Sequence, residues 1–265
     1  MEWFMIEKEN GRCVTCIAEI PEDPAAIVIV AHGFTSCKES ATGHVLMQHM
    51  PPAGIGVVAY DQPGHGTDAA RFDDLRVENC LDSLAAVEQT VLQRWPDLPL
   101  YYFGSSYGAY ITALYLATRP HNGVRAVFRS AAVNMPAVML GDDLSGPEDA
   151  VKKELEENGY IEPDLNLSGI VRIPAGFFED LRETDLFEAV RKTGSAPGTI
   201  CGTKIAMVHG RDDEVVGFEM PKRFSEEFGI PMTVFDGEGH NLCTNPATPD
   251  KMAEVALRFF EEDLQ

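Results

Sequence analysis

Residues 100–110 read LYYFGSSYGAY, and this stretch places one G-x-S-x-G motif between a buried-strand pattern and a helix pattern. A strand, a tight turn and a helix in this order form a nucleophile elbow, whose strained turn presents a serine hydroxyl at the end of a sheet. The motif therefore predicts Ser106 as a catalytic nucleophile. Gly104 and Gly108 are predicted to let the strand and the helix approach each other, and Ser105 is interpreted as a turn residue.

Apolar runs of strand length recur on both sides of this motif, at 26–31, 56–60, 100–103, 124–128, 204–208 and 232–235. Helix-like stretches alternate with them, at 36–50, 73–95, 107–118 and 250–262. Continuous apolar runs are typical of strands that are covered on both faces of a parallel sheet, and the alternation implies right-handed crossovers. Strand-like stretches at 3–8 and 13–20 predict an antiparallel opening. The prediction is an α/β fold with a mostly parallel central sheet flanked by helices.

The segment 134–197 differs in composition from the rest of the chain. It has acidic helix-like sequence at 148–157 and turn pairs at Asn158-Gly159 and Ser168-Gly169, but no run typical of a central strand. Open parallel sheets bind ligands beyond the carboxyl ends of their strands, so we expect a small cap insert over those ends. A loop region without substrate contact is the alternative. The predicted division is a core in two parts, 1–133 and 198–265, with the cap insert 134–197 between them.

Composition limits the classes of partner. The chain has 265 residues, of which 45% are hydrophobic, which is enough for one large domain. Its formal net charge of -21 repels phosphate backbones and anionic headgroups, so neither nucleic acid nor a membrane is expected as a partner. The start has no signal-peptide pattern, no apolar run has membrane-spanning length, and six scattered cysteines do not form a disulfide framework. A cytoplasmic protein is predicted; a homodimer remains an open alternative.

A serine hydroxyl needs a base within hydrogen-bond reach and a carboxylate that orients the base. Two polar segments follow predicted strands: residues 209–216 read HGRDDEVV and residues 236–240 read DGEGH. Both segments come at strand ends, so we expect them beside Ser106. The remaining histidines are interpreted as structural or surface residues: His32, His44, His49, His65, His121 and His209.

The developing oxyanion of acyl transfer needs backbone N–H donors. The residue after the nucleophile, Tyr107, is predicted to supply one of them. No H-E-x-x-H motif, phosphate-binding loop or pair of carboxylates competes for the chemistry, and Cys13 and Cys16 form a C-x-x-C motif without a second pair. We therefore expect no cofactor and no metal.

Five segments together resemble the serine aminopeptidase/monoacylglycerol lipase branch of the α/β-hydrolases. They are HGFT at 32–35, DQPGHG at 61–66, GSSYG at 104–108, the 209–216 segment and Gly239-His240. The resemblance implies an α/β-hydrolase fold and selects His240 as the base. It also selects Asp213 as the acid, with Asp212 as the alternative, and assigns the second oxyanion donor to the N–H of Phe34.

Within the predicted cap, residues 159–173 and 177–181 resemble the hairpin-and-helix cap of bacterial feruloyl (cinnamoyl) esterases. Such enzymes cleave esters of hydroxycinnamic acids with sugars or small alcohols. The resemblance implies a serine carboxylesterase that acts on a small-molecule ester. The alternatives are a serine peptidase or monoacylglycerol lipase of the same fold, a lyase or cofactor-free peroxidase, and a non-catalytic binding protein.

Overall fold

The strands are short, with two to eight residues each. The structure, a computed structural model, describes residues 1–8, 11–141, 149–162, 171–262 and 264. The strands within these residues are β1 (Glu2–Glu7), β2 (Cys13–Glu19), β3 (Ala26–Ala31), β4 (Ile55–Tyr60), β5 (Leu100–Ser105), β6 (Gly123–Arg129), β7 (Tyr160–Ile161), β8 (Ile173–Pro174), β9 (Thr199–Ile200), β10 (Thr203–Gly210) and β11 (Met232–Phe235). All of them except β7 and β8 belong to one central sheet.

The central sheet has the neighbour order β1-β2-β4-β3-β5-β6-β10-β11, with β9 paired to β10. Strands β3, β4, β5, β6, β10 and β11 run parallel, whereas β1, β2 and β9 pair antiparallel. Every residue of β3, β4 and β5 is buried. In β3, Ile27 and Ile29 enter one apolar core while Val28 and Val30 enter the core on the opposite face. The mostly parallel sheet with an antiparallel opening confirms the prediction.

Helices cover both faces of the sheet. In the described part of the chain they are α1 (Ala41–His49), α2 (Val77–Arg94), α3 (Tyr107–Thr118), α4 (Met135–Leu140), α5 (Asp149–Asn158), α6 (Ala175–Glu183), α7 (Leu186–Thr193), α8 (Glu219–Phe228) and α9 (Thr248–Glu261). Leu46 of α1 and Phe260 of α9 share one core, and Leu84 of α2 and Ile111 of α3 share the other. Among these helices, none combines the length and apolar character needed to cross a membrane.

Helix α1 begins later than its sequence pattern predicts. The apolar periodicity favours a start near residue 36, but the helix begins at Ala41, where the Ser40 side chain accepts a hydrogen bond from the Gly43 N–H at 3.1 Å. The preceding Thr35 has a φ of 60°, which a right-handed helix does not allow. Between Thr35 and the helix, the Lys38 N–H donates to Asp61 Oδ1 at 2.8 Å, so residues 36–40 belong to the loop that follows β3.

The segment 134–197 contains none of the central strands among its described residues. Strands β7 and β8 pair with each other antiparallel, and α4, α5, α6 and α7 make up the rest of its regular structure. The predicted turn at Ser168-Gly169 lies outside the described residues. Side chains of α6 and α7, including Phe177 and Phe187, enter the core on the side of α2 and α3. The domain division itself stays a prediction.

Cys13 and Cys16 are three residues apart on β2, so their side chains lie on opposite faces of the strand. Cys13 is exposed and Cys16 is buried, and all six cysteines are free thiols. The two sulfurs of the motif are thus not placed to form a disulfide or to share a metal ion.

Candidate active site

Ser106 occupies a strained turn between β5 and α3. Its φ of 53° and ψ of -114° are unusual for a residue with a side chain. The surroundings hold this conformation through the backbone: the Ser106 N–H donates to the Arg129 carbonyl at 2.8 Å, and the Ala109 N–H donates to the Ser106 carbonyl at 3.0 Å. The predicted strand–turn–helix arrangement around Ser106 is thus present.

Gly104 and Gly108 are required by contacts on both sides of this turn. A Cβ at Gly104 would lie 2.5 Å from Ala109 Cα, and a Cβ at Gly108 would lie 2.1 Å from the Ala31 carbonyl oxygen. Both neighbours are backbone atoms that cannot rotate away. The glycines therefore allow α3 to pack against the ends of β3 and β5, which fixes the position of the Ser106 hydroxyl.

Ser106, His240 and Asp213 form a continuous hydrogen-bonded chain. The Nε2 atom of His240 lies 3.0 Å from Ser106 Oγ, and its Nδ1 atom lies 2.8 Å from Asp213 Oδ2. Asp213 is buried, whereas the adjacent Asp212 is exposed. An Nδ1–H that donates to the carboxylate leaves the lone pair of Nε2 free to accept the serine proton. The geometry thus joins the three residues predicted from sequence and leaves Asp212 outside the chain.

The Asp213 carboxylate is held by several further contacts. Its Oδ1 accepts the N–H groups of Val215 at 2.9 Å and Val216 at 2.8 Å. His209 Nε2 lies 3.2 Å from Asp213 Oδ2, close enough for attraction but without the alignment of a hydrogen bond. Burial on its own would raise the pKa of Asp213, but the contacts with His209, His240 and Val216 lower it below its usual range. The carboxyl group is thereby kept ionised beside His240.

The last residue of β6 and the residue after it support the site, which the sequence did not indicate. Arg129 is buried and donates from Nη1 to Ser105 Oγ at 2.9 Å, while the next residue, Ser130, donates from Oγ to the His240 carbonyl at 2.8 Å. Burial lowers the pKa of Arg129 to about 10, and the negative charge of Asp213 opposes that shift. These two residues link the turn at Ser106 to the loop that carries His240.

The two predicted oxyanion donors lie on segments that flank Ser106. A Cβ at Gly33 would lie 3.4 Å from Ser106 Cβ, so the segment after β3 passes directly beside the serine. The ring of Phe34, the next residue, meets the Tyr107 ring edge-on with centroids 5.4 Å apart. Among the residues that the structure describes, the N–H groups of Phe34 and Tyr107 have no protein acceptor. Both donors are thus available to an external oxygen atom.

A profile of the family described as serine aminopeptidase, S33, matches residues 22–172, which is more than half of the chain. This chain belongs to the serine aminopeptidase S33 family. The predicted relationship to the α/β-hydrolases is therefore confirmed, and the matched range includes Ser106, Phe34 and Tyr107. No curated protein matches the S33 protein by sequence.

Solved structures of α/β-hydrolases share the fold of the S33 protein. Est1E from Butyrivibrio proteoclasticus with ferulic acid bound has a TM-score of 0.78 and 18% identity, with 98% of this chain and 99% of that chain covered. A thermostable carboxyl esterase from Bacillus coagulans in complex with glycerol has a TM-score of 0.72, 18% identity and 98% coverage of both chains. The mouse alpha/beta hydrolase domain-containing protein 10 has a TM-score of 0.73, 14% identity and full coverage of both chains. At these identities the comparison establishes the fold.

His32 and His65 of the S33 protein hold the loops around Phe34. His32 Nε2 accepts the Gln62 N–H at 3.0 Å, and His65 Nδ1 lies 3.0 Å from the Pro63 carbonyl, to which it donates. Both rings are buried and their centroids are 5.3 Å apart. Burial, followed by the nearby His32, lowers the pKa of His65 from 6.5 to about 3. His65 is therefore neutral throughout the neutral and mildly acidic range.

This low pKa predicts a pH-dependent loss of stability. Below about pH 6.5 the unfolded chain binds a proton at His65 that the folded S33 protein does not bind until about pH 3. The free energy of unfolding should therefore fall by about 1.4 kcal/mol per pH unit across that window from this group. The variant His65→Phe keeps an aromatic ring and removes the titration. Urea unfolding at several pH values should show a correspondingly shallower slope for the variant than for the wild type.

The matched control is His44→Gln, because His44 is an exposed residue of α1. For His44→Gln, the free energy of unfolding should change with pH as steeply as it does for the wild type. A His65→Phe slope indistinguishable from the wild-type slope would show that His65 titrates normally in the folded protein.

Proposed function

We propose that this S33 hydrolase cleaves carboxylic esters through an acyl-enzyme intermediate on Ser106. The observation that carries the proposal is the chain of contacts from Asp213 through His240 to Ser106, with the serine at a strained elbow. This arrangement matches the requirement for an activated serine: a base within reach and an oriented, ionised acid.

In the proposed reaction, Ser106 Oγ attacks the acyl carbon while His240 Nε2 accepts the hydroxyl proton. The N–H groups of Phe34 and Tyr107 stabilise the oxyanion of the tetrahedral intermediate. Collapse of this intermediate breaks the ester bond, and His240 returns its proton to the departing alcohol. A water molecule then attacks the acyl carbon with His240 again as the base, which releases the acid and restores Ser106. Asp213 stabilises the imidazolium in both halves of the cycle.

Small or aromatic acyl groups, such as hydroxycinnamoyl groups, are the proposed substrates. The half-buried ring of Phe34 follows Gly33, which passes directly beside Ser106, and it offers apolar surface near the reacting atoms. The similarity in fold to Est1E, which was solved with ferulic acid bound, and to a carboxyl esterase supports the same class. The net charge of -21 favours neutral esters over highly anionic ones.

A peptidase activity is the second candidate, because the matching family is described by a serine aminopeptidase. An esterase and a peptidase would use the same three residues, so the hydrogen bonds that link Asp213, His240 and Ser106 do not distinguish the two activities. The difference would lie in the groups that bind the acyl part and the leaving group.

A panel of substrates tests the proposal. We would measure kcat/KM on methyl ferulate, short and long p-nitrophenyl esters, a monoacylglycerol and an aminoacyl amide. Methyl ferulate or the short ester should give the highest value, at least about tenfold above the amide and the long-chain substrates, which corresponds to about 1.4 kcal/mol in transition-state binding. A preference for the amide would favour the peptidase, and a preference for the long acyl chains would favour the lipase. If no substrate is turned over and a fluorophosphonate does not label the protein, the hydrolytic proposal is wrong.

A further inference from the structure

We infer that Phe177 of α6 is a positioning residue for the oxyanion donor at Phe34. This inference rests on the proposed function, because it concerns the N–H group that would stabilise the tetrahedral intermediate. Phe177 belongs to the segment 134–197 and is fully buried, so it would act on the reaction without touching the substrate.

Three rings from three different parts of the chain enclose the ring of Phe34. Phe177 stacks on it with centroids 5.7 Å apart and an interplanar angle of 21°. Tyr107 and His65 meet it edge-on, at 5.4 Å and 5.1 Å. Phe177 also meets the Tyr107 ring edge-on at 5.8 Å. One side chain of α6 therefore contacts the side chains of both residues whose N–H groups are the proposed oxyanion donors.

The backbone next to Phe34 needs such support. Thr35 has a φ of 60°, a conformation that is costly for a β-branched residue, and its Oγ1 donates to the Phe34 carbonyl at 2.6 Å. Strained backbone of this kind persists when the surrounding packing determines it. The direction of the Phe34 N–H therefore depends on how firmly its ring is held. Loss of the stacked ring of Phe177 would let this loop relax.

Helix α6 is itself anchored to the core. The Asp180 carboxylate accepts two hydrogen bonds from Arg76, at 2.8 Å and 2.5 Å, and one from the Val77 N–H at the start of α2, at 2.9 Å. Gly176 provides the space for this contact, because a Cβ there would lie 2.4 Å from Arg76 Nη1. A bidentate arginine–carboxylate pair fixes geometry as well as distance. The position of Phe177 over Phe34 is therefore set by contacts of Gly176, which precedes it, and of Asp180, which follows it in the helix.

The test compares Phe177→Ala with Phe178→Ala. Phe178 is a matched control because it is also buried, and among the described ring contacts its ring meets Phe177 rather than Phe34 or Tyr107. With p-nitrophenyl acetate, Phe177→Ala should lower kcat by about 10- to 100-fold, since full loss of an oxyanion donor costs about 100- to 1,000-fold. KM should change little. Affinity for a trifluoromethyl ketone, whose serine adduct carries an oxyanion, should fall by a similar factor.

Phe178→Ala should keep kcat and the affinity for the ketone within about threefold of the wild type, although it creates a cavity of similar size. If Phe177→Ala does not fold, Phe177→Leu retains most of the buried volume without the ring and should show a smaller loss in the same direction. Unchanged kcat and ketone affinity in a folded Phe177 variant would overturn the inference, as would an effect on KM alone. A wild-type protein that neither hydrolyses the ester nor reacts with a fluorophosphonate would instead overturn the proposed function, and this inference with it.

Discussion

Replacement of Ser106 by alanine is expected to lower kcat by about 10⁵- to 10⁶-fold with the fold unchanged. The substitution removes the oxygen that lies 3.0 Å from His240 Nε2, and no acyl-enzyme can then form. The residual rate would come from binding and from stabilisation of the oxyanion. The measurement is kcat on the best ester of the substrate panel, with circular dichroism to compare the folded states.

Ser105→Ala is the matched control for this experiment. The Ser105 hydroxyl accepts a hydrogen bond from Arg129, and it is the neighbouring Ser106 hydroxyl that contacts His240. This variant should lose about 1–3 kcal/mol of stability from the unpaired Arg129 donor and retain turnover within about tenfold. It should also retain labelling by a fluorophosphonate. Substantial turnover by Ser106→Ala, or labelling that depends on Ser105, would show that the nucleophile is assigned wrongly.

Replacement of Asp213 by asparagine is expected to lower kcat by about 10⁴-fold at neutral pH. An asparagine amide can donate to His240 Nδ1, which favours the tautomer with the proton on Nε2. That tautomer cannot accept the proton of Ser106, and the imidazolium would lose the negative charge now 2.8 Å from Nδ1. The variant should fold, because an asparagine oxygen can still accept the N–H groups of Val215 and Val216. The pH profile of kcat should be measured for this variant together with that of the wild type.

Asp212→Asn separates the two adjacent carboxylates. The Asp212 side chain is exposed, and the Asp212 N–H donates to the Glu238 carbonyl at 3.0 Å. The substitution keeps this backbone hydrogen bond. Its kcat should stay within about threefold of the wild type, because an exposed charge is screened by solvent. The reverse pattern, with Asp212→Asn inactive and Asp213→Asn active, would require Asp212 as the acid.

Much of the fold was predictable because its signals are local. The run 26–31 is apolar at every position, which is typical of a strand covered on both faces, and β3 is buried throughout. The elbow was equally predictable, since its G-x-S-x-G motif and the strand and helix patterns on either side of it lie within one short stretch. The start of α1 was not, because Lys38 bonds through its N–H and its Nζ to Asp61, which is distant in sequence, and the helix begins only after Ser40.

The choice between Asp212 and Asp213 shows where local reasoning ends. Composition and spacing left both carboxylates open, and the resemblance to a family selected Asp213. In the structure, the turn after β10 buries Asp213 against His209 and His240 and exposes Asp212. The side chains of these two adjacent residues point in different directions, so only the carboxylate of Asp213 reaches the imidazole of His240.

By itself, the sequence determined the alternation of strands and helices, the elbow at Ser106 and the strand ends that carry Asp213 and His240. These features follow from the periodicity of apolar residues and from the G-x-S-x-G motif, which are patterns over a few residues. Tertiary structure alone decided which distant residues support them. These contacts are Arg129 with Ser105, Ser130 with the His240 carbonyl, His209 with Asp213, and Phe177 with Phe34. They depend on the order of parallel strands and on side-chain rotamers selected by packing, which no local pattern encodes.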